Sequence, residues 1–549
     1  MKIINYDVIC VGSGVAGMMA CLAASHSGAN VCLVSKEALG WGNTRISGGI
    51  ISTLGSKKED LITDILKSGH ELNQHELVKT LINDSADVHS LVQSWGHLFD
   101  IQQGQLKKIT PAGHSEARTL ISVQRGIHLS NILRNQLLKL QIDILEEIIV
   151  CKVLVQQRRA VGILLYDWKE GDWLVLLSPK VILACGGGGM LYSPHTDNMR
   201  SATGDGYALG LIAGAELIDM EQIQFMPFGV VYPNGMMGLE LGDTSAAGPY
   251  GVLKNGHGKV ICSDLPKKTR EEVSKIIALE IKRGNASPHG GIWLDPTENL
   301  KHEGGLESWR NWKAIGSLEP LKIAYGTKAY QWQEPFEVLP TQHYIMGGIL
   351  IDDKGNTNVS GLIAAGETAG GVHGGGRMGS MSLFDGLVFG RLVGKELAKS
   401  QERYSKPSRG WLEEEKENFK TFVTKQKRVF SPLKLKQDLG KVIWTYAGII
   451  RDKNGLEIGL NLINEIEEKA NNLQISWEPR YFQLIVEAIE LRFMLITARS
   501  ILLSALARNE SRGSHYREDF PSKEVNQTVK NIVIQLKQGE FITSKRENM

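Results

Sequence analysis

The chain has 549 residues, beyond the size at which one hydrophobic core keeps growing, so two or three domains are expected. Its 62 basic and 60 acidic residues leave a formal charge of +2, which gives no electrostatic basis for binding nucleic acid or an anionic membrane. Six cysteines with no CxxC pair, several inside apolar runs, point to free thiols in a reducing compartment and away from an intrinsic iron–sulfur cluster.

The first element reads as a buried strand over residues 6–11, which runs through Gly12-Ser13-Gly14-Val15-Ala16-Gly17 into a helix reaching about residue 27. Gly12 suits a tight turn, Gly14 the approach of backbone to a pyrophosphate, and Gly17 close packing of helix on strand. A tight turn in some other α/β fold is the alternative. A second strand is expected at 30–34, and Lys36 and Glu37 beyond it are candidate cofactor contacts, Glu37 as an acid for a ribose. With a strand starting so early, no secretory leader is expected. No run of about 18 uncharged apolar residues is present to span a membrane. A cytoplasmic location follows, with attachment to a membrane complex only through partners.

Residues 40–50 form a glycine-rich loop able to line a cofactor ring, with Asn43, Thr44, Gly48 and Gly49 as candidate contacts. Residues 57–97 have helical character. Strands are expected at 148–151, 160–164, 173–175 and 181–184, the last running into Cys185-Gly186-Gly187-Gly188-Gly189, where Gly186 and Gly187 again bare the backbone. Asp205, in Thr203-Gly204-Asp205-Gly206, opens the next helix as a ligand or as a plain cap.

Reactive side chains are densest at 340–382. Pro340-Thr341-Gln342-His343-Tyr344-Ile345-Met346-Gly347-Gly348 is followed by Ala365-Gly366-Glu367 and by His373-Gly374-Gly375-Gly376-Arg377-Met378-Gly379-Ser380-Met381-Ser382. A histidine, an arginine and backbone-exposing glycines are what a redox cofactor site needs when hydride passes to or from an anion. Apolar spacing then predicts helices over 411–430, 432–449, 454–471 and 479–509, and a strand at 531–536.

Together these motifs resemble the succinate dehydrogenase and fumarate reductase flavoprotein family, which also contains L-aspartate oxidase. The resemblance runs nearly the whole length, through residues 184–189, 203–206, 340–348 and 365–391 to the distal Glu510-Ser511-Arg512-Gly513-Ser514-His515-Tyr516-Arg517-Glu518-Asp519-Phe520-Pro521. It implies an α/β fold with a Rossmann-like FAD-binding domain at 1–225 and 340–405. An inserted α+β capping domain at 226–339, a C-terminal helical domain at 406–510 and a small terminal module at 511–549 complete it. FAD is the implied cofactor. The implied partners are an anionic small molecule and an iron–sulfur electron-transfer subunit.

The resemblance also assigns roles. His343 and Arg377 would hold the substrate carboxylate, Arg377 through a bidentate fork. Arg270, in Lys267-Lys268-Thr269-Arg270-Glu271-Glu272, falls where the family has its proton-donating arginine; an exposed basic residue is the plainer reading, and a core histidine is the plainer reading of His343. A guanidinium with a pKa above about 12 needs a relay to reprotonate it, for which Glu271 or Glu272 is a candidate, against simple helix-surface charge. Glu367 would bind the FAD sugar chain, and the turn at Ser382-Leu383 would lead into a helix whose N–H groups face the flavin's pyrimidine end. Asn43 stands where membrane-bound members carry the histidine that bonds covalently to FAD, so FAD is expected to be non-covalent.

Two departures bear on substrate. Where the family has Gln-Phe-His-Pro-Thr-Gly, this chain has Gln224-Phe225-Met226-Pro227-Phe228-Gly229, and its usual Thr-Glu is replaced at the nearest point by Asp243-Thr244. With Met226 and Phe228 that end of the pocket is expected to be apolar, and burying an unpaired carboxylate there would cost several kcal/mol, on the order of 2–7. A substrate with one activating acid or carbonyl group, and not succinate or fumarate, is expected. The leading expectation is a flavoprotein subunit coupled to an iron–sulfur protein. A self-contained oxidase or enoate reductase, similar to aspartate oxidase or adenylylsulfate reductase, is the alternative. A flavin relay without a substrate is disfavoured by the joint presence of Arg270, His343 and Arg377.

Overall fold

A computed structural model describes residues 1–314, 318–398, 404–421, 430–524 and 528–547. A five-stranded parallel sheet organises the molecule, in the spatial order Leu362–Ala364, Val181–Leu183, Val8–Val11, Val31–Val34, Asp143–Leu145. Its three central strands are short apolar runs buried on both faces, as parallel strands covered by helices must be. The chain order across the sheet reverses between Val8–Val11 and Val181–Leu183, the switch point at which doubly wound sheets bind ligands beyond their carboxyl ends.

Helix Val15–His26 packs on this sheet and against helix Met381–Ala398. The contact is close because small residues allow it: a Cβ on Gly390 would stand 2.5 Å from the Ala16 carbonyl oxygen, and one on Gly394 2.3 Å from that of Ala20. Strands Ile148–Gln156, Arg159–Asp167 and Asp172–Leu177 form an antiparallel meander, with Lys2–Asn5 added in parallel at its edge. The expected helical stretch at 57–97 resolves into three helices, Lys58–Ser68, His75–Asn83 and Val88–Ser94.

A separate hydrophobic core draws only on residues between Phe228 and Val338. It covers a six-stranded antiparallel sheet containing Ile223–Val230, Phe336–Ile345 and Glu240–Gly242, packed by helix Arg270–Lys282. Helices Pro432–Tyr446, Lys453–Asn471 and Phe482–Ala507 pack together as the apolar spacing implies. Arg409–Lys420 is the described part of the helix expected over 411–430, of which residues 422–429 lie outside the described residues. Lys530–Lys537 and Glu540–Glu547 form a C-terminal hairpin. It extends a sheet with Leu217–Ile218 and Gly348–Leu350. Among the described residues, no helix is long and apolar enough to cross a membrane.

Candidate active site

One cavity of about 960 Å³ opens at the switch point and continues to the second core. Gly12, Gly14, Lys36, Glu37, Asn43, Thr44, Gly48, Gly49, Gly186, Gly187, Asp205, Glu367, Ser382 and Leu383 all line it, as do Arg270, His343 and Arg377. Gly17 does not, and its role is packing: a Cβ there would sit 1.9 Å from the Gly12 carbonyl oxygen. Gly12, at φ +109°, would bring a Cβ within 2.2 Å of the Ala184 carbonyl oxygen. Gly14, Gly48 and Gly186 differ. A Cβ on Gly14 would meet only Thr44 Oγ1, at 3.6 Å, and one on Gly48 or Gly186 would meet nothing within 4 Å. Their backbone faces open cavity, the form a cradle for a pyrophosphate and ring takes.

Lys36 lines the cavity, but its ammonium is turned to protein. Nζ donates at 2.8 Å to each of Thr203 Oγ1, Asp205 Oδ2 and Glu490 Oε1. Burial works against the charge, yet the two carboxylates outweigh it and hold the Lys36 pKa above its ordinary value. Asp205 is the first residue of helix Asp205–Ile212 and anchors this pair. Asn43 is bound at both ends of its amide, donating to Asn198 Oδ1 at 2.6 Å and accepting from the Met199 N–H at 2.9 Å. Glu367 Oε1 accepts from the Ile345 N–H at 3.1 Å, and burial pushes its carboxyl up to about 7. Helix Met381–Ala398 begins one residue before Ser382, which puts Ser382 and Leu383 in its first turn, with that N-terminus on the cavity wall.

Both arginines are buried, at 7 % and 4 % exposure for Arg270 and Arg377. Gln224 joins them. Its Oε1 accepts from Arg377 Nη2 at 2.9 Å and, more weakly, from Arg270 Nη1 at 3.5 Å, while its Nε2 donates to the Arg377 carbonyl at 2.8 Å. The Arg377 guanidinium also lies over the Tyr344 ring, 4.8 Å from its centroid. Burial, reinforced by Arg270, pulls the Arg377 pKa down to about 10. The Nε of each arginine is buried and lacks a hydrogen-bond partner.

Arg270 is paired with Asp243, Nη2 to Oδ2 at 3.1 Å, and neither Glu271 nor Glu272 fills that place. Glu272 closes a capping box with Thr269 at the start of helix Arg270–Lys282. Burial pushes the Asp243 carboxyl up, but Arg270 and the Ser245 hydrogen bonds outweigh it and leave it below the usual carboxylate range. His343 Nδ1 is held by Asp197 Oδ2 at 2.6 Å. The loop carrying Asp197 docks on the His343 strand through Thr196 Oγ1 to Gln342 Oε1, 2.8 Å, and Asn198 Nδ2 to the His343 carbonyl, 3.0 Å. The distal motif supports Arg377 from behind: the Ser514 N–H donates to the Gly375 carbonyl at 2.8 Å, and a Cβ on Gly513 would stand 2.4 Å from that oxygen.

Met226 lines the cavity. Phe228 does not: it is fully buried in the second core. Strict alternation would place both on one face, but the register against strand Phe336–Ile345 slips between Met226 and Gly229, so the bulge turns Phe228 inward.

Residues 7–383 match the FAD binding domain family model, and residues 436–547 match the model for the fumarate reductase flavoprotein C-terminal region. One chain of the fumarate reductase (CoM/CoB) of Methanothermobacter marburgensis is 32% identical over 533 residues, covering 94% of this chain and 94% of its own. The chain belongs to the fumarate reductase and succinate dehydrogenase flavoprotein family. It is thus an FAD-dependent oxidoreductase, and its cofactor is FAD. The succinate dehydrogenase flavoprotein subunit of Rickettsia conorii is 29% identical, covering 94% of this chain and 91% of its own. Among solved structures, a chain of the E. coli quinol fumarate reductase superposes with a TM-score of 0.89 at 25% identity, over 100% of this chain and 98% of that one.

Proposed function

We propose that this flavoprotein moves hydride between FAD and the carbon–carbon bond next to a substrate carboxylate, and that it exchanges electrons with a separate iron–sulfur subunit. Residues 1–225 and 340–405 would hold FAD, 226–339 would cap the substrate, and 406–510 would buttress the FAD fold. The observation that carries this reading is the pair Arg270 and Arg377, buried, joined by Gln224 and short of one acceptor each, on the same cavity as the glycine cradle.

Bound FAD supplies the two-electron chemistry. Gly14, Gly48 and Gly186 would take its pyrophosphate and ring against bare backbone, and Glu367 and Glu37 its sugar hydroxyls. With Asn43 in place of the family's linking histidine, the flavin is non-covalent. Arg377 holds the substrate carboxylate and draws charge from the adjacent double bond. His343, its ring fixed by Asp197, donates a second hydrogen bond to that group from Nε2. Arg270 gives a proton to the carbon that does not receive hydride, and Asp243, bonded to its Nη2, is the relay that restores it. Met226 offers no charge to a second carboxylate.

The test is anaerobic. The purified flavoprotein is reduced with dithionite, excess reductant is removed, and a panel of unsaturated acids is added. Reoxidation by 2-enoic acids supports the reading, and reoxidation by none of them removes it. Co-purification with a cysteine-rich iron–sulfur protein from the native source supports the partner.

A further inference from the structure

In the reaction proposed above each turnover leaves Arg270 short of a proton, and a route back runs through the hydrogen bonds around Asp243. Asp243 Oδ2 accepts from Arg270 Nη2 at 3.1 Å. Among the described residues its other oxygen faces Ser245 alone: Oδ1 accepts from the Ser245 hydroxyl at 2.5 Å and from the Ser245 N–H at 3.0 Å, the bond that caps the turn Thr244–Ala247. Both oxygens are thus turned to protein, and Asp243 is buried. Ser245 is half-buried and lines the cavity. Trp312 Nε1 donates to its carbonyl at 3.2 Å, which joins Ser245 to helix Glu303–Ala314, and the exposed Glu307 of that helix lines the same cavity, so the cavity is open to solvent. The neighbouring hydroxyl does not compete, because Thr244 is buried and donates to the Lys268 carbonyl at 3.1 Å.

We infer that the Ser245 hydroxyl is the link that carries protons from solvent to Asp243, and through Asp243 to Arg270. The inference rests on the reading above that Arg270 protonates the substrate. A hydroxyl has one hydrogen to give and lone pairs to receive another, so Ser245 passes its proton to Asp243 Oδ1 as it takes one from water. Its bond to Oδ1 already has the short length of a charge-assisted one. A half-turn of the Asp243 carboxyl about Cβ–Cγ then presents that proton to Arg270. The arginine, left a neutral guanidine by its gift to the substrate carbon, takes the proton and regains its charge, and Asp243 returns to the carboxylate. The net change is one proton moved from water to substrate, with every protein group restored. Burial pushes the Asp243 carboxyl up, but Arg270 and Ser245 hold it below the usual carboxylate range, so it stores no proton at neutral pH and each one has to arrive from outside. Ser245 therefore acts after the chemistry, because Arg270 is already charged when the first substrate binds.

Comparison of the first turnover with later ones separates this role from a structural one. The FAD-loaded protein is assayed anaerobically with but-2-enoate, or with the 2-enoic acid of the panel that reoxidises it fastest. It is first reduced once and mixed with the acid, then supplied with excess reduced methyl viologen as electron donor. Ser245→Ala should leave the first turnover within about twofold of the parent and slow the later ones by about tenfold or more, below the full loss of a positioned proton donor because cavity water replaces part of the path. The trace is then a burst of one saturated acid per flavin followed by a slow phase, and imidazolium added as a small proton donor should speed that phase in proportion to its concentration. Ser245→Thr keeps the hydroxyl and should show no burst. Ser245→Ala retains the N–H bond that caps the turn, and Ser245→Gly is a second variant without the hydroxyl. Later turnovers as fast in these two variants as in the parent would overturn the inference, since water would then reach Asp243 unaided. A first turnover slowed as much as the later ones would also overturn it, since Ser245 would then only shape the site. If no 2-enoic acid reoxidises the reduced parent even once, the hydride-transfer reading falls and the relay with it; a normal first turnover with unchanged later ones in Ser245→Ala removes the relay alone.

Discussion

Replacing Gln224 by glutamate separates a structural role for the buried arginines from an anion-binding one. Gln224 Oε1 lies 2.9 Å from Arg377 Nη2 and 3.5 Å from Arg270 Nη1, so a carboxylate there would be bonded to both cations without moving any backbone. Flavin content should survive, because Gln224 does not line the cavity, and some stability should be lost, because the Nε2 that donates to the Arg377 carbonyl becomes an acceptor. Substrate binding should not survive. A carboxylate held on the other side of a guanidinium would stand about 6 Å from the new charge, and at an effective dielectric of about 20 their repulsion is roughly 3 kcal/mol, about 100-fold in Kd. Gln224→Leu removes the acceptor but adds no charge. Its loss should be nearer tenfold, one hydrogen bond to a charged group at about 1.5 kcal/mol. Spectral titration of the oxidised flavin with butanoate reads both. A Gln224→Glu Kd within about threefold of the parent, or weaker binding in the leucine variant than in the glutamate one, would refute a role for Arg377 in holding the anion.

Other substitutions probe the flavin side. Gly14→Ala should fold normally, since the new methyl meets only Thr44 Oγ1 at 3.6 Å, yet lose FAD; Gly12→Ala, with a Cβ 2.2 Å from the Ala184 carbonyl oxygen, should fall in melting temperature as well. Flavin absorbance should appear in the supernatant after acid precipitation, because an amide at Asn43 cannot form the covalent link; flavin retained in the pellet would contradict this. For Glu367, burial raises the folded-state carboxyl to about 7 from 4.5, so the fold holds a proton that the unfolded chain releases, and stability drops as pH climbs between those values. Glu367→Gln should match the parent apoprotein's melting at pH 4 and exceed it at pH 8, by at most roughly 3 kcal/mol from about 2.5 pH units at 1.4 kcal/mol each. Equal melting at pH 8 would show that the carboxyl titrates normally.

The residues that chemistry fixes locally are legible in the sequence, and those fixed by distant pairing are not. Gly12, Gly14 and Gly17 announce themselves because each answers a separate steric demand within six residues. Arg377 and His343 stand out because each sits in a glycine-rich string. Asp197, by contrast, reaches His343 across 146 positions of sequence, with no local pattern to mark it. Asp243 is visible as a departure, and only the contact with Arg270 reveals what it does. Lys36 reads as a cofactor contact, whereas its ammonium answers Asp205 and a glutamate 454 residues away. Phe228 is misplaced by sequence reasoning for a simpler cause: alternation along a strand fails at a bulge, and no residue in Met226-Pro227-Phe228-Gly229 says on which side of the slip a side chain will fall.

Single-turnover stoichiometry tests the hydride-transfer reading most directly. Flavoprotein reduced anaerobically and mixed with a 2-enoic acid should yield one saturated acid per flavin reoxidised. Arg270→Gln should slow that step by about 100-fold or more, the lower range for loss of a positioned proton donor, while the Kd for the saturated acid changes little. Flavin reoxidised without saturated acid, or an Arg270→Gln variant as fast as the parent, would contradict it.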